Sequence, residues 1–463
     1  MTQSLPGVIA GSGRLTAPLY LTGHLEPVAT EVDGYDLAVT GALPPELNGR
    51  YFRNGPNPCP GQDPGSWFTG HGMLHGIRLQ AGRARWYRNR WVRTAALAGA
   101  PFRKPDGRPD LAAVTANTNV IRHAGRIFAL VESGLPYQVT NELDTLGPYD
   151  FGGRLTTAMT AHPKEDPVTG DLHFFGYSAL PPFLTYHRAT ADGALIESRE
   201  IPVDGPTMMH DFAITEHHVV WLDLPVVFDP ARLGKGMPYQ WDDRYGARVG
   251  IMPQRGSAPV RWFEVEPGYV FHVGNAREDA DGCIVLDAVR YSRQAFAAAW
   301  MGIGGSRASD AEPETSHSQL YQWRLDPVSG RVNEQPLDDR PVEFPTLNQQ
   351  LVGRPSRYRY AVHGRGLVKD ELVKYDLHTG VSRGYATCAG QAFGEAVFVP
   401  AADSRAEDDG WLLSIVSDPE GRGSAFVVLD ATDLHRVASV ALPQRVPAGF
   451  HGTWLPDTEA AEP

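Results

Sequence analysis

Forty-nine glycines and 38 prolines are spread evenly over 463 residues, and this punctuation leaves little room for long helices. Between them lie short runs rich in Val, Ile, Phe, Tyr and Trp, each bounded by turn residues, which is the pattern of strands. Hairpin signals recur: LHGIRLQ and ARWYRNRWVR flank Ala81-Gly82, VIRH and RIFALVE flank Ala124-Gly125, and LTYHRAT and LIESREI flank Ala191-Asp192-Gly193. The fold class this predicts is all-β. A looser repeat, in which a strand ends in Asp and turns into the next strand, occurs as DPVSG at 326–330, DLHTG at 376–380 and DATDL at 430–434. Propeller blades produce such repetition. A two-sheet sandwich would also supply the strands but normally needs fewer residues.

No linker divides the chain, so residues 1–463 are expected to form one domain with an ordered core over about 20–456. Insertions are expected near 225–250 and 293–312, the second including the Ala-rich AFAAAWMGIGG at 295–305, helical or loop-like, with a further acidic loop at 401–410. Residues after Pro456 are expected to fray. With 42% hydrophobic and 21% charged residues the chain can bury a sizeable core. The formal charge is −12 and there is no long basic run, which excludes a phosphate-neutralising surface and with it nucleic acid as a partner. Cys59, Cys283 and Cys388 are odd in number and far apart, unlike a disulfide framework or a cysteine metal site, and fit a reducing cytoplasm. The first residues, MTQSLPGVIAGSGRLTAPLYL, lack a cationic start followed by an apolar block, and no apolar stretch approaches about 18 residues. A soluble cytoplasmic protein is the expectation.

Four of the 16 histidines stand in short apolar or turn contexts: His162 in TAHPK, His210 in MMHDF, His272 in YVFHVGNA and His451 in GFHGTW. The gaps between them are 48, 62 and 179 residues, too long and unequal for a zinc finger, whose paired ligands lie a few residues apart. They suit a closed scaffold in which separate elements converge, such as a propeller axis. Four neutral imidazoles fit a borderline divalent metal; iron, copper and zinc all accept nitrogen, and an octahedral iron would keep two positions open. Such a site has no anionic ligand, so carboxylates accepting the remaining ring N–H would orient the rings and offset the charge. Glu132 in FALVESG, Glu343 in VEFPTLN and Glu395 in FGEAVFVP stand among apolar neighbours, where an unpaired carboxylate is costly. Each can equally cap a turn or pair with an arginine. His173, His217, His218, His363 and His378 lie in polar or strand-surface contexts and are read as structural.

RYFRNGPNP, WFTGHGMLHG, TANTNV, the four histidine segments, VEFPTLN, and EDDGWLLSIVSD from Glu407 occur in an order, from Arg50 to Trp454, that resembles the carotenoid cleavage oxygenases. The resemblance implies a seven-bladed β-propeller capped on one face by loops and short helices, with one non-haem Fe(II) on its axis. It carries the metal ligands onto His162, His210, His272 and His451, and the glutamates that hold them onto Glu132, Glu343 and Glu395. Thr118, in ANTNV, matches a threonine beside an open iron position. Family members split a conjugated or styryl double bond with O2 into two carbonyl products. The segments WYRNRWVRT and LVESGLP are most similar to bacterial carotenoid and apocarotenoid oxygenases.

Three departures qualify the resemblance. The stilbene-cleaving branch usually has a lysine before the matched glutamate, and here Val131 stands there, which favours an apolar polyene. His71 replaces a common Asp, as a spare neighbour of the metal or as a loop residue, and Arg277 replaces an aromatic, touching the cavity lining or the surface. An insoluble polyene implies peripheral membrane contact near the tunnel mouth, with 225–228 and 295–305 as candidates, although Phe296 and Trp300 could instead pack a cap helix onto the propeller. Alternatives in other classes are a stilbene-cleaving dioxygenase, an iron-dependent isomerase of a retinoid ester, and a non-catalytic propeller platform.

Overall fold

The computed structural model describes residues 17–234, 236–306, 317–364, 366–387, 391–418 and 423–457. Cys388 and part of the expected insertion at 293–312 lie outside these residues.

Seven antiparallel sheets form the blades, and a separate two-stranded ribbon pairs Val226–Phe228 with Tyr239–Trp241. The hairpins legible in the sequence are the ones that form. Ala81 and Gly82 have φ of 48° and 70°, and Ala124 and Gly125 have 49° and 73°. Positive φ at both central residues is what a two-residue turn needs to match strand twist. The repeats at 326–330, 376–380 and 430–434 each join the third and fourth strands of a blade, for instance Ser318–Leu325 to Val332–Pro336. In the first of them Asp326 Oδ1 accepts the N–H of Val328 and of Ser329, so the aspartate closes the turn.

Both ends of the chain close the ring. The C-terminal strand Gly452–Pro456 pairs with Gly49–Pro56 and becomes the innermost strand of the first blade. Near the N-terminus, the strand Val39–Gly41 pairs with Arg436–Ala441 and becomes the outermost strand of the last. The innermost strands of the other blades begin with Asn119–His123, Lys164–Glu165, Ala213–Ile214, Tyr269–Glu278 and Val342–Thr346, and the last blade uses Ala392–Phe393 and Val397–Pro400. Several of these inner strands touch one another around the axis.

The core lies between blades. Phe52, Leu74 and Trp86 of the first blade pack with Val120, Ile127 and Tyr137 of the second, and Phe128 and Leu130 on the other face of the second pack with Leu172 and Phe174 of the third. Alternation along each strand thus feeds two cores at once. A polar bolt also joins two of the blades. Arg359, 1% exposed, makes a bidentate pair with Asp287 of the neighbouring blade at 2.7 and 2.8 Å. Asp287 Oδ1 also occupies the space a Cβ on Gly274 would need, so a glycine two residues after His272 lets the pair sit against that strand.

Described parts of both expected insertions lie over the large cavity. The 226–241 ribbon carries a 3-10 turn, Pro230–Arg232, and residues Arg293–Ile303 form an α-helix. The alanines favour that helix, Ser292 caps it by accepting the N–H of Ala295, and Gly304 ends it. Phe296 is only 3% exposed and packs against Tyr269, Phe271 and Trp300, so it faces inward.

Removing Asp287 strands a buried guanidinium between the blades that carry His272 and Glu343. Asp287→Ala is expected to lower the unfolding free energy by about 3–5 kcal/mol in denaturant titration, and adding Arg359→Met should recover part of that loss. Equal stability of Asp287→Ala and the unaltered protein would contradict the role given to the pair.

Candidate metal centre

Four of the inner strands follow closely after, or contain, one of the histidines picked out by sequence. His162 and His210 precede Lys164–Glu165 and Ala213–Ile214, His451 precedes Gly452–Pro456, and His272 lies within Tyr269–Glu278. The register of that last strand slips between Val270 and Val273, and a bulge of this kind re-aims a side chain. All four rings meet on the axis. Nε2 of His162 lies 3.0 Å from Nε2 of His210. Five of the six ring pairs have centroids 4.6 to 5.3 Å apart. Ring nitrogens of His162, His272 and His451 lie within 4.8 Å of one another. His210 is not part of that trio and joins the cluster through its contact with His162.

The three glutamates are where the histidines need them. His272 Nδ1 donates to Glu343 Oε2 at 2.5 Å, and His451 Nδ1 donates to Glu395 Oε1 at 2.9 Å. His210 Nδ1 is 2.7 Å from Glu132 Oε2, close enough for an ion pair but out of line for a straight hydrogen bond. His162 has no carboxylate partner among the described residues. A ring that donates through Nδ1 keeps its lone pair on Nε2, so these carboxylates point lone pairs at a common centre. Nε2 of His451 is buried without a hydrogen-bond partner. Converging lone pairs with an orphaned nitrogen are what a cation would satisfy, and the all-imidazole donor set fits a borderline divalent metal.

Electrostatics agree. Burial lowers the pKa of His162 well below 6.5, and the three other histidines push the same way. Burial also lowers His272, against the pull of Glu343. At His210 burial opposes the charge, yet the Glu132 carboxylate outweighs it and the pKa is raised. Burial pushes Glu343 upward, but His272, the Tyr291 hydroxyl and the N–H of Phe344 hold it at about 2. Glu343 is placed by strain, since Phe344 has φ of 52°, a left-handed conformation rare for a bulky residue, beside a register slip in Val342–Thr346.

On one face the cluster borders a cavity of about 1390 Å³. His210, His272 and His451 line it, with Phe68, Phe271, Phe344 and Phe450. The cap supplies Phe228 and Tyr239 from the ribbon and Ala298, Ala299 and Ile303 from the helix. On the other face a smaller cavity of about 360 Å³ holds His162, Glu395, and the pair Lys164–Asp211 at 2.8 Å. Thr118 lines the large cavity, its hydroxyl donates to Asn117 Oδ1 at 2.9 Å, and its carbonyl accepts the N–H of His451.

The other sequence readings sort cleanly. His173 Nδ1 pairs with the Tyr186 hydroxyl, His218 Nδ1 with Glu278 and His363 Nδ1 with the carbonyl of Pro341. His71 lies outside the cluster and Arg277 lines neither cavity. Sequence reasoning missed Tyr291, whose hydroxyl donates to Glu343 Oε1 at 2.6 Å, and Asp211, which accepts the N–H of Val273. Tyr291 gives no local signal; the strand pairing of Tyr269 with Tyr291 brings it in.

Residues 25–456 match the Retinal pigment epithelial membrane protein family. The chain is 42% identical to the carotenoid cleavage oxygenase of Mycobacterium tuberculosis, over 95% of this chain and 98% of that one. The chain belongs to this family. Among solved structures it is similar to a lignostilbene dioxygenase of Pseudomonas brassicacearum, with a TM-score of 0.83 and 30% identity over 95% of this chain and 98% of that one. It is also similar to a cobalt-substituted apocarotenoid oxygenase of Synechocystis, with a TM-score of 0.80 and 26% identity over 93% of this chain and 97% of that one. The family fold is thus the propeller seen here, and the histidine cluster lies where such a fold converges.

Glu343→Gln keeps the shape of the side chain and removes its charge. It is expected to weaken divalent-metal affinity, measured against a competing chelator, by about 10–100-fold. His162→Ala and His451→Ala should each retain less divalent metal through desalting than the unaltered protein, as read by elemental analysis. Full metal content in either alanine variant would remove that residue from the ligand set.

Proposed function

We propose that the chain is a non-haem iron dioxygenase that splits one double bond of a carotenoid or apocarotenoid with O2, giving two carbonyl products. The observation that carries this is the juxtaposition of a four-imidazole cluster with a large apolar cavity. His162, His210, His272 and His451 are the ligands in this reading, and Glu132, Glu343 and Glu395 hold the rings of His210, His272 and His451. Fe(II) held there, one per chain, would supply electrons to dioxygen at coordination positions left open by four ligands.

The chain's own residues do the rest. Carboxylates on Nδ1 select the tautomer of each neutral ring that carries its lone pair on Nε2 and fix the ring's direction. Aromatic walls bind the polyene and exclude water, and where the chain lies along them decides which double bond is cut. Thr118, beside His451, narrows the free space next to the cluster; its hydroxyl is committed to Asn117, so it restricts access rather than donating to substrate. One alkene and one O2 contain every atom of two carbonyls, so no protein acid or base is demanded.

The stilbene reading is supported by the similarity to the lignostilbene dioxygenase. Against it stands Val131, an apolar residue in the cavity wall immediately before Glu132. Iron-loaded protein given a carotene, an apocarotenal and a hydroxystilbene under ¹⁸O2 should yield labelled aldehydes from the polyenes and none without oxygen. Cleavage of the stilbene alone, or an isomerised product formed anaerobically, would overturn the proposal.

A polyene has to be collected from lipid. No helix among the described residues is long and apolar enough to cross a membrane. The exposed large apolar side chains along the cavity are Phe102, Leu180 and Leu233, at 46, 70 and 47%, with Arg103 and Arg108 nearby. These, rather than the inward-facing Phe296, form the peripheral membrane contact in this reading. Leu180→Asp with Leu233→Asp should reduce flotation with anionic liposomes severalfold while leaving cleavage in detergent intact; unaltered flotation would refute the contact.

A further inference from the structure

Lys369 is a polar group in the cavity wall that the reaction does not use. It lies between the strands Tyr358–His363 and Glu371–Asp376 of the sixth blade, is 8% exposed and lines the large cavity. An ammonium has three N–H donors. Gly364 O, 2.8 Å away, accepts one, and among the described residues no second acceptor is within reach. Lys374 shows what a satisfied lysine looks like here. It is 7% exposed, and its amine donates to Asp408 Oδ2, Ala431 O and Thr432 O.

Burial draws the pKa of Lys369 down to about 8, with the Glu343 carboxylate pulling the other way. Lys369 lines the same cavity as His272 and Glu343, together with Pro341, Phe344 and Leu367. Spare donors in such a wall are costly unless an acceptor arrives from outside the chain. A hydrocarbon has none to offer. An oxygen on the end group of a polyene does.

We infer that Lys369 is a specificity-determining residue that donates a hydrogen bond to a hydroxyl or carbonyl oxygen on the substrate's end group. The inference rests on the dioxygenase reading and sharpens its substrate class from any apolar polyene to one with an oxygenated end. It also moves the polar contact. Val131 leaves the second blade without a cationic donor beside Glu132, and Lys369 supplies one from the sixth.

A role limited to pinning the loop through Gly364 O would affect all substrates alike. The test uses iron-loaded protein, with zeaxanthin and β-carotene, which differ only in their ring hydroxyls, as probes. Binding is titrated anaerobically, where no turnover occurs, and cleavage is followed in air. The unaltered protein should bind zeaxanthin more tightly. Lys369→Met should raise Kd and KM for zeaxanthin roughly 10-fold or more, with kcat and the β-carotene values unchanged, and Lys369→Arg should restore part of the difference. Equal affinity of the unaltered protein for both probes overturns the inference without any variant, as does a loss in Lys369→Met that is the same for both. Binding of both probes with cleavage of neither would refute the dioxygenase reading, and the ratio of Kd values would still decide on Lys369.

Discussion

The site depends on a single electrostatic arrangement: buried carboxylates set against the Nδ1 side of imidazoles, so that the opposite nitrogens face one another. Such a centre is unfavourable without a further partner, because buried ring nitrogens crowd together with only each other to bond and Nε2 of His451 has no hydrogen-bond partner. Burial of Glu343 and Glu395 would itself be costly without the ring N–H groups, the Tyr291 hydroxyl and the N–H groups of Phe344 and Gly452. Each half of the arrangement compensates for the other, and a cation at the centre completes it.

Only a closed ring of sheets can hold that arrangement from residues so far apart in sequence. Every blade contributes: His451 at the first, Thr118 and Glu132 from the second, His162, His210 and His272 from the third, fourth and fifth, Glu343 from the sixth and Glu395 from the seventh. The position of any one ring therefore depends on packing between blades, which is apolar almost throughout. Among the polar exceptions, Arg359 with Asp287 joins the blades of His272 and Glu343, the pair whose hydrogen bond is the shortest of the set. The cap then adds what the propeller lacks, an apolar roof built from the 226–241 ribbon and the helix Arg293–Ile303 over one side of the cluster.

Much of this was legible in the residues. Ala81-Gly82 and Ala124-Gly125 announce tight turns because few residues accept positive φ, and the Asp-led turns announce blades because the aspartate closes them on itself. The histidines and glutamates stood out because a titratable group among apolar neighbours needs a partner, and most of those partners are each other. What stayed hidden depends on register and direction. Tyr291 reaches Glu343 through strand pairing that no local pattern encodes. Phe296 and the exposed Leu180 look alike as apolar residues in loops or caps, and only packing decides which faces water. Lys369 and Lys374 lie on the same short stretch, and the difference between a satisfied and a spare amine is a property of the folded neighbours alone.

The most direct measurement is iron K-edge X-ray absorption on the anaerobic, iron-loaded protein. The proposed iron centre predicts four imidazoles on each iron and no carboxylate bound to it. A spectrum fitted by fewer than four imidazoles, or by direct binding of a glutamate oxygen, would contradict it.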